Sequence, residues 1–283
     1  MHFTNHTRNE FGKTDTPDRT IAKIRAGFER LGYTIRYLPF EVADHIHWSV
    51  IAIDELNLQC QGKGLTPELA MASAHAELAE RFSGGLFYQA FEEQVRFNMP
   101  ALYGGRVNRF LNYEWLDGYQ NCHQDTLSQD HVSIESLLRD QPHLQSAEIA
   151  RIKDSQMARH WVDGYSVLAE RPVKVPLNFV AYINASNGMA AGNTLEEALI
   201  QASCEVFERH TQIQIMGPER IVPTIDRATL KNDRLEAMIA FYEEENVEIV
   251  LKDFSMGGRF PNIGVLFTNQ NLRPGRLEHR ILV

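Results

Sequence analysis

The sequence predicts an α+β protein in which two long helices pack on mainly antiparallel sheets and an approximate internal two-fold relates the halves. Three observations predict it. Segments of helical period alternate with short strand-like runs. Gly64–Arg81 recurs as Gly192–Arg209, 128 positions later, with eight of eighteen residues identical. A glycine-containing stretch precedes each copy: Gly62-Lys63-Gly64 before the first, and a small-residue loop from Asn184 to Asn193 before the second. Two copies at such an offset indicate a duplicated half-domain rather than a solenoid.

Residues 1–17 are polar and are expected to form a mobile N-terminal segment, with one domain from residue 18 to 283. Ile21, Ile24, Phe28 and Leu31 recur at helical spacing, and Gly32 supplies a left-handed stop. Residues 34–40, 46–53 and 58–61 read as strands. Gly62-Lys63-Gly64 is expected to open the first long helix, with Thr66 as N-cap, Pro67 at the first helical position and an end near Ser83. An amphipathic piece over 86–97 and a loop over 98–129 follow. Helices are expected near 132–139 and 147–160, then strands over 162–170 and 173–183. The second long helix begins at Thr194. A helix over 230–245 and strands over 247–254 and 262–267 complete the regular structure, and 273–283 show no clear period.

The formal charge of −9 excludes a general nucleic-acid binder, whose basic face would neutralise phosphates. No direct nucleic-acid contact is therefore expected. Cys60, Cys122 and Cys204 are far apart and form no C-x-x-C pair, which argues against a disulfide framework or a zinc site. No stretch approaches the roughly 20 apolar residues needed to cross a bilayer, so the cytoplasm is the expected location.

The repeat matches more than helix formers. At 100° per residue Ser73, Glu77, Glu80 and Arg81 share one stripe, while Met71, Ala74, Leu78 and Phe82 form an apolar face. Glu197, Gln201, Glu205, Glu208 and Arg209 repeat the polar stripe, with Leu199, Ala202 and Val206 on the core side. Each stripe alone reads as solvated surface, its i,i+4 Glu–Arg pairs contributing about 0.2–0.5 kcal/mol. Repetition weighs against that, because a solvated face does not constrain carboxylate spacing.

If the stripes face each other, carboxylates ~4 Å apart repel by about 1 kcal/mol in water and about 4 kcal/mol at an effective dielectric of 20. Such a cleft needs cations, and Mg2+, a hard ion that bridges carboxylates to nucleotide phosphates, is the natural one. The glycines would let backbone N–H groups approach an anion at a helix N-terminus. No P-loop and no Rossmann fingerprint is present.

These residues resemble the YcaO family. The resemblance is carried by Ser186-Asn187-Gly188-Met189-Ala190-Ala191-Gly192-Asn193-Thr194, by Glu205-Val206-Phe207-Glu208-Arg209, and by Gly62-Lys63-Gly64 followed by Ala72-Ser73-Ala74 and Glu80-Arg81. Gly12-Lys13 and Gly257-Gly258 extend it over most of the chain. It implies an ATP and Mg2+ site held by the paired Glu-x-x-Glu-Arg helices. Lys13, Thr20, Ser73, Asn193, Glu197 and Arg209 fall on nucleotide contacts, and Glu77, Glu80, Glu205 and Glu208 on the metal-binding carboxylates. Thr20 stands where a relative has Ser, and Ala190 replaces a contacting Ser.

The implied activity is phosphorylation of a peptide backbone amide oxygen, or an accessory role toward a ribosomal protein beside a methylthiotransferase partner. The phosphorylation rests on positioning and charge neutralisation rather than on a general base, and no catalytic base is assigned. After residue 270 the family pattern continues with a glycine-led helix, whereas this chain reads Asn271-Leu272-Arg273-Pro274-Gly275-Arg276; a C-terminally truncated domain is expected. That feature favours the alternative, a catalytically inactive module presenting a peptide or partner surface. A dimetal hydrolase is disfavoured because no His joins the stripes. Oligomeric state stays open, a homodimer included.

Overall fold

The computed structural model describes residues 3–38, 47–56, 58–83, 118–122, 126–139, 141, 143–155, 158–184, 186–216 and 221–269. The chain divides into two compact units, Met1–Leu199 and Ile200–Val283.

In the first unit α1 (Pro17–Arg30) begins with Pro at its first position and ends at Gly32, whose φ of +84° is the left-handed stop read from the sequence. Strands β1 (Arg36–Leu38), β2 (His47–Ile53) and β3 (Leu58–Gly64) form an antiparallel sheet in the order β1-β2-β3, with Ile51 opposite Cys60. Helix α2 (Pro67–Ser83) follows. Phe28, Ile35, Ile51, Ile53, Leu56, Leu58, Cys60, Ala74 and Leu78 form the core, and Met71 and Phe82 pack against it. The predicted apolar face of α2 is thus the buried one. Each large aliphatic side chain buried there contributes about 1.5–3 kcal/mol. Phe28 and Phe82 meet edge to face at 5.0 Å and tie α1 to α2.

His75 also lies in this core, fully buried. Arg25 Nε donates to its Nε2 at 3.1 Å, so the ring is neutral with its proton on Nδ1, 2.8 Å from the Met71 carbonyl. Burial pushes the pKa of His75 down, and the nearby Arg25 charge adds to this against the Met71 hydrogen bond.

The first glycine-containing stretch corrects the sequence reading. Gly62-Lys63-Gly64 does not open the helix but continues β3 to Gly64, because its residues complete the ladder with Ser49, Trp48 and His47. The helix starts at Pro67 as expected, and Thr66 caps it by accepting from Leu69 N at 3.3 Å.

Strands β4 (Gln120–Asn121), β5 (His160–Ser166) and β6 (Arg171–Pro176) form a second antiparallel sheet, order β4-β5-β6. β4 falls in a stretch read as loop, since two residues paired with Trp161 and His160 carry no local pattern. Fully buried Trp161 donates from Nε1 to the Ala158 carbonyl at 3.0 Å. The strand expected over 162–170 ends at Ser166, where the Ser166 hydroxyl oxygen accepts from Ala169 N and the chain turns into β6.

Beside this sheet lie α3 (Ile134–Leu137) and α4 (Ser146–Asp154), both shorter than predicted. The strand expected over 173–183 stops at Pro176, and α5 (Leu177–Asn184) takes over. Pro176 ends the ladder opposite Trp161, and a short apolar run after it serves a buried helix as well as a strand, with Phe179 buried in the cluster of Ile134 and Ala158.

Helix α6 (Leu195–Ile215) is the second long helix. In the second unit Asn232 caps α7 (Asp233–Glu244) by accepting from Leu235 N at 3.0 Å, and β7 (Val247–Asp253) pairs antiparallel with β8 (Ile263–Asn269). Tyr242 meets Phe267 edge-on at 5.4 Å. The buried residues of α6 are Thr211 and Ile215, one turn apart near its C-terminus, and Asn262 Nδ2 donates to the Thr211 hydroxyl. Val206, expected on the core side, is 48% exposed, whereas the buried residues of α6 lie near its C-terminus. The expected features over 86–97, 98–117 and 271–283 lie outside the described residues.

Candidate functional site

The repeat is a repeat of geometry. A Cβ added at Gly64 would stand 2.4 Å from Ala70 N, and one added at Gly192 would stand 2.4 Å from Ala198 N, the matching residue. Thr66 and Thr194 each cap their helix through the hydroxyl, accepting from Leu69 N at 3.3 Å and Glu197 N at 3.2 Å. Ala70 N and Ala198 N donate to the carbonyls of those same threonines. The glycines therefore serve close approach of the chain to the first turn of the helix it enters.

The polar stripes follow. On α2, Arg81 Nε donates to Glu77 Oε1 at 2.8 Å, and Gln61 N donates to Glu77 Oε2 at 3.2 Å. On α6, Arg209 lies 3.7 Å from Glu205 and 3.6 Å from Glu208, and its buried Nε has no hydrogen-bond partner among the described residues. The i,i+4 pairs of the solvated-face reading are thus present in both copies. Glu77 and Glu80 belong to the first unit, Glu205 and Glu208 to the second.

In the first unit Ser73, Glu77 and Arg81 line a cavity of ≈ 670 Å³ together with Trp48, Gln61 and Lys63. Lys63 Nζ lies 5.1 Å from the centre of the Trp48 ring, so this strand residue engages an aromatic face. Cys60 lies beneath; burial and then Glu77 push its pKa to about 12, which keeps the thiol protonated and removes it as a nucleophile.

The other candidates of the first unit gather at the start of α6. Thr20 Oγ1 donates to Asn193 Oδ1 at 2.8 Å, Asn193 Nδ2 donates to Glu197 Oε2 at 3.4 Å, and Lys13 Nζ lies 3.4 Å from Glu197 Oε1. Four residues named from the sequence, two at each end of a separation of more than 170 positions, form one network. Sequence reasoning missed Thr14, which donates to Glu197 Oε2 from its hydroxyl at 2.7 Å and its amide at 3.3 Å. It also missed Lys23, 3.4 Å from the Asn193 carbonyl, and Thr4 and His6, which hold Glu196. Adjacency to Lys13 was the one signal available for Thr14.

Partial burial opposes the charged form of Glu197, but hydrogen bonds from Thr14 and the Lys13 ammonium outweigh it, and the carboxyl sits below its ordinary value of 4.5. A carboxyl depressed on folding keeps its full stabilisation above 4.5 and loses it as pH falls through the lower, folded value. Hydrogen exchange at the Thr14 amide, corrected for the intrinsic rate, is expected to show protection at about pH 7 that falls away as pH drops below the ordinary value of 4.5. Protection that does not decline anywhere below that value would contradict this.

Within either unit, among the described residues, no three His, Cys, Asp or Glu side chains gather into a metal site. The donor chemistry nonetheless suits Mg2+: the repeated stripes offer carboxylate oxygens and no soft ligand. No described helix is long and apolar enough to cross a membrane.

An α+β chain with two long helices that begin alike, each carrying Glu-x-x-Glu-Arg, is a duplicated sheet-and-helix protein. The family model for YcaO cyclodehydratase, ATP- and Mg2+-binding, matches residues 61–280, and the chain belongs to the YcaO family. It is 30% identical over 271 residues to an uncharacterized protein of Haemophilus influenzae, covering 92% of this chain and 44% of the relative. It is 26% identical over 265 residues to the ribosomal protein S12 methylthiotransferase accessory factor YcaO of Escherichia coli, covering 91% and 44%. The chain thus spans under half the length of these two relatives. Among solved structures, a heterocyclase in complex with substrate and cofactor matches with a TM-score of 0.62, at 16% identity, over 96% of this chain and 38% of that one. YcaO from Methanopyrus kandleri bound with AMPPCP and Mg2+ matches with a TM-score of 0.55, at 19% identity, over 85% and 54%. These likenesses establish the fold.

Proposed function

We propose that this chain binds Mg2+ and ATP and uses them either to activate a peptide backbone amide or to assist methylthiolation of a ribosomal protein. The observation that carries the reading is the network at the start of α6, where Lys13, Thr20, Asn193 and Glu197 converge from distant parts of the sequence. Family membership supports it, as do the ligands of the Methanopyrus kandleri protein and the name of the Escherichia coli relative. Lys13, Thr20, Ser73, Asn193, Glu197 and Arg209 are the proposed nucleotide contacts. Glu77, Glu80, Glu205 and Glu208 are the proposed metal-facing carboxylates.

A bound magnesium ion would neutralise phosphate charge. The chain's own residues would bind and orient: Lys13 offers an ammonium, Asn193 and Thr20 supply hydrogen-bonding groups, and Arg209 brings a guanidinium whose Nε–H has no partner among the described residues. The proposed partners are a peptide or ribosomal protein substrate and a methylthiotransferase.

Titration calorimetry with ATP tests the reading. Binding is expected in Mg2+ and is expected to weaken at least about 100-fold in EDTA or in the Glu205→Gln, Glu208→Gln double variant. Equal affinity with and without Mg2+ counts against it.

A further inference from the structure

The carboxylate of Glu197 is held asymmetrically. Oε2 accepts from the Thr14 hydroxyl at 2.7 Å, the Thr14 amide at 3.3 Å and Asn193 Nδ2 at 3.4 Å. Oε1 faces Lys13 Nζ at 3.4 Å. A carboxyl torsion is broad when left alone and its two oxygens are equivalent, so three donors on one oxygen fix the plane of the carboxylate and leave the other oxygen facing away from them. The Glu197 side chain is 11% exposed and that of Lys13 is 48% exposed, so Oε1 of a largely buried carboxylate faces a half-exposed cation. Thr14 makes the shortest contact and uses two donors from one residue, and its branched side chain has a restricted χ1.

We infer that Thr14 is a positioning residue: by saturating Glu197 Oε2 it presents Oε1 toward Lys13, where a magnesium-bound nucleotide would exchange with the ammonium. The inference rests on the nucleotide reading above and deepens it. In this role Thr14 acts through Glu197. Lys13 then holds the site in a neutralised resting form, since its ion pair with Oε1 is the one contact to the carboxylate made by an exposed, flexible side chain.

Calorimetry with a non-hydrolysable ATP analogue, in Mg2+ and in EDTA, tests this. Thr14→Val keeps shape and removes the hydroxyl donor. It is expected to weaken Mg2+-dependent binding about 10- to 100-fold, as loss of the partner that orients a carboxylate contacting the magnesium-bound nucleotide does, while affinity in EDTA stays unchanged. Thr14→Ser is expected to bind as the parent chain does, and it keeps the proposal falsifiable if the Val variant melts early. Equal affinity of Val variant and parent in Mg2+ overturns the role of Thr14, as does a loss of equal size with and without Mg2+. No Mg2+-dependent binding by the parent overturns the nucleotide reading, and this inference with it.

Discussion

Gly62→Ala is expected to destabilise the first unit by about 3–5 kcal/mol, enough to lower the melting temperature by about 10 °C or to prevent folding. The added Cβ would stand 2.1 Å from Ala74 N, 2.2 Å from Ala70 O and 2.8 Å from Ala74 Cα. All three are backbone atoms of α2, so no side chain can swing aside. Strand and helix must part by roughly 1 Å, and a close-packed interior does not absorb that without opening voids. Ala74 and Leu78 on α2 face Ile51, Ile53 and Cys60 in the core, and they lose contact together. Gly27→Ala is the control of opposite sign: its Cβ meets nothing within 4 Å, and Ala in the interior of α1 is expected to stabilise by about 0.5–1 kcal/mol. Thermal melts of both variants decide the matter, and a Gly62→Ala chain melting within a few degrees of the parent refutes the close-approach account.

Gly62 also shows where sequence reading succeeds and fails. Glycines beside a helix start suggest anion binding or close packing, and residue identity cannot separate them. The backbone distances at Gly62, Gly64 and Gly192 assign these three to packing. Helix ends were legible because their signals are local: Pro67 after Thr66, and Gly32 at +84°. The switch from β6 to α5 was not, because an apolar run next to a proline satisfies either period and tertiary packing of Phe179 decides. Val206 was placed inside by its spacing and is half exposed, since periodicity gives a face without saying which part of a long helix is covered.

The candidate site was legible in its repeated half. Glu77 with Arg81 and Glu205 with Arg209 stand out because the 128-residue offset doubles them, and the same i,i+4 pairing recurs in both helices. Glu197 stood out in the helical stripe, whereas Lys13, Thr20 and Asn193 were named through family resemblance, as no spacing rule links residue 13 to residue 197. Their meeting is a property of the fold, and so is Thr14's part in it.

Glu197→Ala is expected to release the N-terminal segment even when no nucleotide is present. Residues 3–16 form no regular element, and their described side-chain ties to α6 run through Glu196 and Glu197. Hydrogen bonds to a charged, largely buried carboxylate contribute about 1.5–3 kcal/mol, and the half-exposed Lys13 pair adds at most about 1 kcal/mol. A loss of about 2–3 kcal/mol raises the open population about 30- to 150-fold. Trypsin reads this directly, because Arg8, Lys13 and Arg19 lie in or beside the segment, and cleavage tracks the open population when reclosing is fast. Glu197→Gln is expected to fall between parent and Ala variant, keeping an oxygen for Thr14 but losing the charge that Lys13 requires. The double variant Thr14→Val, Glu197→Ala separates the contributions: if Thr14 works through Glu197, adding the Val change to the Ala variant does nothing further. Additive rates would show Thr14 anchoring the segment by another route, and cleavage of Glu197→Ala at the parent's rate would show that the carboxylate does not hold the segment in place.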